Sequence, residues 1–345
     1  MSGPALRPSR QAAADTDRLL AESRKLVEPA HRAVVHELSP ELRRVAGYHA
    51  GWWDADGRPS GKPGKAIRPA LVLTCARAVA GEDSPPASEV IKAAVAVELI
   101  HDFSLLHDDV MDGDDVRRHR PSAWAAFGTS RAILTGDALV ALALSRTAQG
   151  ALACVLAGAL LDLCQGQSAD LAAETACSPD LEQCLNTAER KTGSLLGAAC
   201  QLGALAAGAN RVEADHYREF GVHLGVAFQL IDDILGIWGD PTRTGKPAHS
   251  DLATRKRSLP VVAALTADST AARRLARIYF GRDGSDEPAA CIVGLLEEAG
   301  GRAWAEAEAD RRIRQAARHL HQARPHSVPA QDLHNLAHLI TKRDH

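Results

Sequence analysis

Aromatic side chains make up only 4% of this 345-residue chain, and it has just two methionines. A core with so little aromatic bulk has to be filled by aliphatic residues. Ala and Leu dominate, β-branched runs are short, and such a mixture of strong helix formers predicts an all-α protein. Cationic excess is also missing. The formal net charge is −3, which argues against a general affinity for nucleic acid or anionic membranes. The seven cysteines (75, 154, 164, 177, 184, 200 and 291) include no CxxC pair and mostly sit in Ala/Leu-rich text. Small buried thiols in a reduced compartment are expected. The N-terminus has no secretory apolar core. The most apolar stretch, Ala151 to Leu163, is about half a membrane span. A soluble cytoplasmic protein is the expectation. No repeat, Walker loop, GxGxxG or Gly-Xaa-Ser-Xaa-Gly turn occurs, so nucleotide P-loop, dinucleotide and serine-nucleophile chemistry find no support.

What is present is acid placed where it is costly. His107-Asp108-Asp109-Val110-Met111-Asp112 ends an apolar helical run from Val95 to Leu106. Asp108 and Asp112 are one helical turn apart, on one face. Carboxylates on an otherwise buried helix need a cation, and magnesium suits one or two carboxylates plus substrate phosphates. A second pair, Asp232-Asp233, interrupts Phe228-Gln229-Leu230-Ile231 and Ile234-Leu235. Two such helices can clamp a diphosphate through bridging ions, a far more specific signal than either motif alone.

Residues 1–14 read as a disordered tail and 15–345 as one all-α domain, with helices expected over 15–38 and 40–48. Lys65 and Arg68 precede a helix expected from Ala70 to Ala80. Cations at a helix N-terminus oppose the macrodipole, so a bound anion would account for them, as would a solvated basic loop. After Asp112 come Asp114, Asp115, Arg117, Arg118, His119 and Arg120, a loop whose arginine forks match diphosphate oxygens. Gly136-Asp137 is taken as a helix start. Gln165, Gln167 and Asp170 read as helix–helix hydrogen bonding. Lys191, in apolar text, either snorkels or reaches a phosphate. The connection holding Lys246, Lys256 and Arg257 follows the second acidic helix and is expected to close as a lid. The late histidines (319, 321, 326, 334 and 338) have no acid or cysteine in ligand spacing and read as surface residues.

In that order and spacing, Asp108-Asp109-Val110-Met111-Asp112, Arg117-Arg118 and Phe228-Gln229-Leu230-Ile231-Asp232-Asp233 closely resemble the trans-isoprenyl diphosphate synthases. Supporting positions are Lys65-Ala66-Ile67-Arg68-Pro69, His101, Gly136-Asp137, Gly166-Gln167, Lys191-Thr192, Gly245-Lys246 and Leu259-Pro260. The resemblance implies an all-α bundle around a deep cavity, usually a homodimer. It implies that Asp108, Asp109, Asp112, Asp232 and Asp233 serve the magnesium ions, three per active site. Arg117, Lys191, Thr192, Gln229, Lys246 and Lys256 would hold an allylic diphosphate. Lys65, Arg68, His101 and Arg118 would hold isopentenyl diphosphate. The implied catalytic set is Asp108, Asp112, Asp232, Arg117, Lys191 and Lys246.

The departures are specific. Gly236 stands where the family usually has a third Asp, Ala66 replaces a common basic residue and His119 a common Gly. Asp232, Gly236 and Asp240 also match the i, i+4, i+8 metal spacing of class I terpene cyclases. That is the rival reading, but it would leave Lys65, Arg68, His101 and Arg118 idle. A partner subunit that binds without catalysing is a third, disfavoured by the intact first motif. Phe103 beside Ser104, with no insertion in the first motif, goes in the family with a twenty-carbon product, geranylgeranyl diphosphate. Farnesyl diphosphate is the alternative.

Overall fold

The computed structural model describes residues 10–60, 64–82, 84–147, 150–175, 180–240, 252, 255–281 and 287–341. The elements are helical, as composition predicts, except for one two-stranded ribbon among the described residues. Contacts divide the chain into two compact units. The first comprises residues 1–160, 198–218 and 322–336, the second 161–197, 219–321 and 337–345.

The first unit is built on α1 (Arg10–Val35), α2 (Pro40–His49), α3 (Ile67–Ala80), α4 (Ser88–Met111), α5 (Ala123–Phe127) and α6 (Thr129–Arg146). α1 begins at Arg10, inside the stretch read as tail. α4 is the central helix and packs on α1, α3 and α6. It is apolar all round, as a buried helix must be: Ala93, Ala94, Ala96, Val97, Leu99, Ile100 and Leu106 are fully enclosed. Gly136 does not open α6 but lies inside it. A Cβ there would sit 2.3 Å from His107 Nε2, so glycine is what lets α6 close on α4. Between α4 and α5 the ribbon pairs β1 (Val116–Arg117) with β2 (Arg120–Pro121), and the two turn residues are Arg118 and His119. Both have positive φ, 53° and 62°. A two-residue hairpin needs that conformation, and it costs a side-chain-bearing residue about 1–2 kcal/mol. Arg120 anchors the ribbon through the carbonyl oxygens of Tyr48 and Trp53 and lies over the Tyr48 ring.

The second unit holds the C-terminal part of α7 (Gly150–Thr175), then α8 (Leu181–Ala188), a π-helical turn (Glu189–Gly193), the start of α9 (Ser194–Ala206) and most of α10 (Arg211–Trp238). Asp180 caps α8 by accepting from the N–H groups of Glu182 and Gln183. α11 (Leu259–Leu265), α12 (Thr270–Phe280), α13 (Ala289–Glu298) and α14 (Gly301–Gln322) follow. Val226, Leu230 and Ile234 of α10 form one cluster with Leu259, Ala305 and Ala309. α15 (Ser327–Thr341) closes the chain. Two helical segments are long and apolar enough to cross a membrane by length and composition, Gly150–Ala173 and Arg211–Trp238, so the apolar α7 text is longer than the sequence reading allowed. The second is 72% buried, as a core helix is; the first is only 28% buried.

A polar cluster lies in the core of the first unit. Asp102 of α4 sits between His31 Nε2 at 3.6 Å and His49 Nε2 at 3.8 Å, all three nearly sealed from solvent. These separations are too long for hydrogen bonds. Burial, then Arg32, lowers His31 to about 4, and burial with Arg118, Arg117 and Arg120 holds His49 well below its usual value. Burial and neighbouring Glu98 push Asp102 up to about 8. A carboxyl that keeps its proton in the folded state stabilises the fold fully at low pH and loses that contribution as pH rises through the folded value. Asp102→Asn, which mimics the protonated acid, therefore gains on the parent as pH rises toward 8 and holds the gain above it. Melting temperatures across that range check this. The gap should grow by at least ~2 °C, and parallel curves would show that Asp102 is ionised throughout.

Candidate functional site

The acidic pairs of the two units share one design. In each, the second acid is turned inward and tied down. Asp109 is 1% exposed and takes Arg117 Nε on both oxygens, at 2.7 and 2.8 Å, with a further ion-pair contact at 2.6 Å. Burial raises the Asp109 carboxyl above its ordinary value, and Arg117 opposes that rise. Asp233 is 4% exposed; it accepts from Gln229 Nε2 at 2.9 Å and from the Leu259 backbone N–H at 3.0 Å. Asp108 and Asp232 are half-buried, and Asp112 is exposed. Asp112 caps α4, donating its N–H to the Asp108 carbonyl. It thus stands at the negative end of the helix dipole, where a cation is favoured. Asp109 and Asp233 have fixed internal partners and support their neighbours, while Asp108, Asp112 and Asp232 are the oxygen donors with solvent access.

Arg117, expected to hold the allylic diphosphate, is the Asp109 partner. The remaining cations of the first unit gather at one place. Arg68 falls inside α3 rather than before it, because Ala66 adopts a left-handed conformation (φ 56°) and starts the helix early. Its Nε is buried with no hydrogen-bond partner. Burial lowers its affinity for a proton, Glu98 and Asp102 restore part of it, and Arg118 opposes. His101 is held well below its ordinary value by burial, then by Arg68, Arg118, His49 and Arg117. It is a neutral imidazole among guanidinium groups. The Arg118 guanidinium comes within 3.5 Å of where a Gly64 side chain would begin, an ordinary contact distance that places it beside Gly64. Arg24, His31, Gly64, Glu98, Asp102 and Arg118 line a cavity of about 50 Å³. Lys65 is exposed beside it in sequence. The cavity thus sets Arg24 and Arg118 against three acids, Glu28, Glu98 and Asp102. Glu98 and Asp102 were not foreseen as its backing; their signal was acid inside an apolar helical run.

In the second unit the π turn presents Lys191 and Thr192. Lys191 Nζ pairs with Asp170 at 2.7 Å, both partly exposed. Thr192 Oγ1 donates to Gln229 Oε1 at 3.0 Å. A chain of contacts thus runs from Thr192 through Gln229 and Asp233 to the start of α11. Glycines let the turn in: a Cβ on Gly166 would lie 2.6 Å from the Lys191 backbone nitrogen, and one on Gly225 would lie 2.7 Å from Gly193 Cα. Asp170, read as ordinary helix–helix bonding, is the Lys191 partner. Lys256 is exposed. Its neighbour Arg257 donates to the Ala173 carbonyl and stacks over Phe280. Lys246 and most of the expected lid lie outside the described residues.

Phe103 is 8% exposed, with its ring 4.7 Å from that of His107 and 3.3 Å from a Gly136 Cβ position. Ser104, also 8% exposed, bonds back to the His101 carbonyl. Gly236 is buried, and α10 ends at Trp238. Asp240 therefore lies beyond the helix, and the i, i+4, i+8 face required by the cyclase reading is not completed.

The polyprenyl synthetase family model matches residues 59–294, more than half of the chain. The (2E,6E)-farnesyl diphosphate synthase of Mycobacterium tuberculosis is 42% identical over 95% of this chain and 96% of its own. The geranylgeranyl diphosphate synthase of the same organism is 42% identical over 94% and 93%. A crystal structure of a polyprenyl synthetase from Streptomyces coelicolor superposes with a TM-score of 0.87 at 42% identity, covering 94% of this chain and 99% of that one. Match, identity and fold agree on what the two Asp–Asp pairs suggested: the chain belongs to the polyprenyl synthetase family, the trans-isoprenyl diphosphate synthases, and is a prenyltransferase.

Proposed function

We propose that the enzyme condenses isopentenyl diphosphate with an allylic diphosphate and releases geranylgeranyl diphosphate. The observation that carries this reading is the split within each Asp–Asp pair, one acid tied inward and the other left half-buried. An all-oxygen donor set of Asp108, Asp112 and Asp232 suits magnesium, which keeps water and phosphate in its shell. Three ions per active site are assigned to it. Bound magnesium would neutralise the leaving diphosphate so that the allylic carbon–oxygen bond can ionise. Asp109 keeps Arg117 in place, and Asp170 does the same for Lys191; both cations are then available to the allylic diphosphate, as is Thr192. Arg68, Arg118, His101 and Lys65 take the diphosphate of isopentenyl diphosphate. The unmet Arg68 Nε is a donor such an anion would satisfy. Holding the alkene close and in line supplies the entropic part of the rate. Attack on the allylic cation forms the new carbon–carbon bond, and the released diphosphate takes the proton. No side-chain base is required.

Phe103 sets the product length. Its ring is wedged between His107 and the glycine of α6, so it is a fixed wall rather than a yielding one. The exposed apolar residues of α6, Ile133 at 38% and Leu134 at 56%, are assigned to a homodimer contact.

Incubation with magnesium, labelled isopentenyl diphosphate and each allylic diphosphate, followed by chromatography, tests the assignment. Labelled C20 prenyl diphosphate is expected. A terpene hydrocarbon or alcohol made from an allylic diphosphate alone would overturn it. Asp108→Asn and Asp232→Asn should lower kcat by about 10²-fold or more and raise the magnesium needed for half-maximal rate. Asp233→Asn should cost less and leave that magnesium requirement in place; a shift as large as that of Asp232→Asn would make Asp233 an ion ligand. Phe103→Ala is expected to lengthen the product beyond C20, and an unchanged product removes Phe103 as the wall. Light scattering should find a dimer that Ile133→Asp together with Leu134→Asp dissociates. A parent chain that runs as a monomer contradicts the contact.

A further inference from the structure

α10 and α14 share a seam. Val226, Leu230 and Ile234 of α10 cluster with Ala305 and Ala309 of α14. Glu308, between those two alanines, and Arg312, further along α14, are also buried, and further back along α10 come His223 and Glu219. At this end the apolar filling gives way to donors. Glu219 and His223 are one turn apart on α10, His319 faces them from α14, and one ligand atom from each lies within 4.8 Å of the others. The two imidazole rings are 5.6 Å apart, tilted by 35°. All three residues are half-buried. Sequence reading placed His319 on the surface because its partners are on a distant helix.

We propose that Glu219, His223 and His319 form a binding site for a divalent transition ion of the zinc class, separate from the carboxylates of prenyl transfer. The donor chemistry selects the ion. Two imidazoles and one carboxylate suit zinc, with water in the fourth position, and not magnesium, which takes oxygen ligands. The charges recorded around the site permit a cation. Arg311 and Arg312 are answered by Glu308, and Arg312 also by Glu189, so with Glu219 two arginines meet three carboxylates. The contact between Arg312 and His223 has to change. Arg312 approaches His223 Nδ1 at 3.4 Å. If His223 ligates through Nδ1, the ion takes that place. If it ligates through Nε2, Nδ1 carries the proton and no longer accepts. Either way Arg312 retains its two carboxylates, and the ion staples α10 to α14.

The test is equilibrium dialysis of the full-length, reduced protein against zinc. Saturating magnesium and pyrophosphate are included to occupy the acidic pairs. The parent should retain one zinc per chain more than His223→Asn or His319→Asn, while His321→Asn, an exposed control on the same helix, retains the parental amount. Zinc should raise the melting temperature of the parent and not of those two variants. His223→Cys supplies a thiolate ligand and should recover the zinc, which separates lost ligation from a damaged fold. Equal zinc content and equal thermal shifts in the parent and both His→Asn variants overturn the site, as does a parent that retains none.

Discussion

A carboxylate next to another carboxylate is an electrostatic problem, and this chain solves it twice by sending the second acid inward. Asp109 goes to Arg117, and Asp233 goes to Gln229 and the first backbone N–H of α11. Much else depends on that choice. If Asp109 were released, its partly exposed guanidinium partner would be lost and the β-ribbon that carries Arg117 would lose an anchor to α4. If Asp233 were released, a buried backbone donor at the α11 start would be left unmet, at a cost of about 1–3 kcal/mol. The inward acids also fix the rotation of their helices. Asp108 and Asp232 are thereby held in their half-exposed positions by contacts about 100° round the same helix.

The cationic side relies on close backbone approach more than on large cores. Gly166 and Gly225 let the π turn sit against α7 and α10. Gly136 lets α6 sit against α4. A chain poor in aromatic residues has little bulk with which to wedge helices apart or lock them in place. Small residues permit near contact, and ion pairs such as Lys191–Asp170 fix the remaining degrees of freedom. Positive φ at Arg118 and His119 belongs to the same economy: local strain is accepted where it aims a functional side chain.

Much of this was legible in the sequence. The two acidic motifs were, because one turn of helix is a local relation and acid in an apolar run is a local anomaly. The all-α class followed from helix propensity summed over long windows. What stayed hidden was whatever depends on a partner far along the chain. Asp102 looks like any helical acid until His31 from α1 and His49 from α2 close on it. Asp170 looks like a helix–helix contact until Lys191 reaches it. His319 looks exposed until α10 supplies Glu219 and His223. Gly136 was taken as a punctuation mark because glycine usually is one; inside α6 its role is clearance. Helix geometry alone does not give the order of roles within each Asp–Asp pair, since adjacent residues point about 100° apart and periodicity does not say which one faces the core; the family resemblance supplied that order.

The turn at Glu189–Gly193 has a further consequence. A π turn amounts to one surplus residue accommodated within an otherwise α-helical path. Its opposite number is a deletion: remove one residue between 189 and 193, and an uninterrupted α-helix from Leu181 to Ala206 becomes available, with better hydrogen-bond geometry and less strain. That shorter chain would fold at least as readily, yet it would carry Lys191 and Thr192 round the helix axis, away from Asp170 and Gln229. The surplus residue therefore makes the position of Lys191 and Thr192 depend on the length of this turn as well as on its side chains. Related chains should tolerate substitution here more easily than a change of one in residue count.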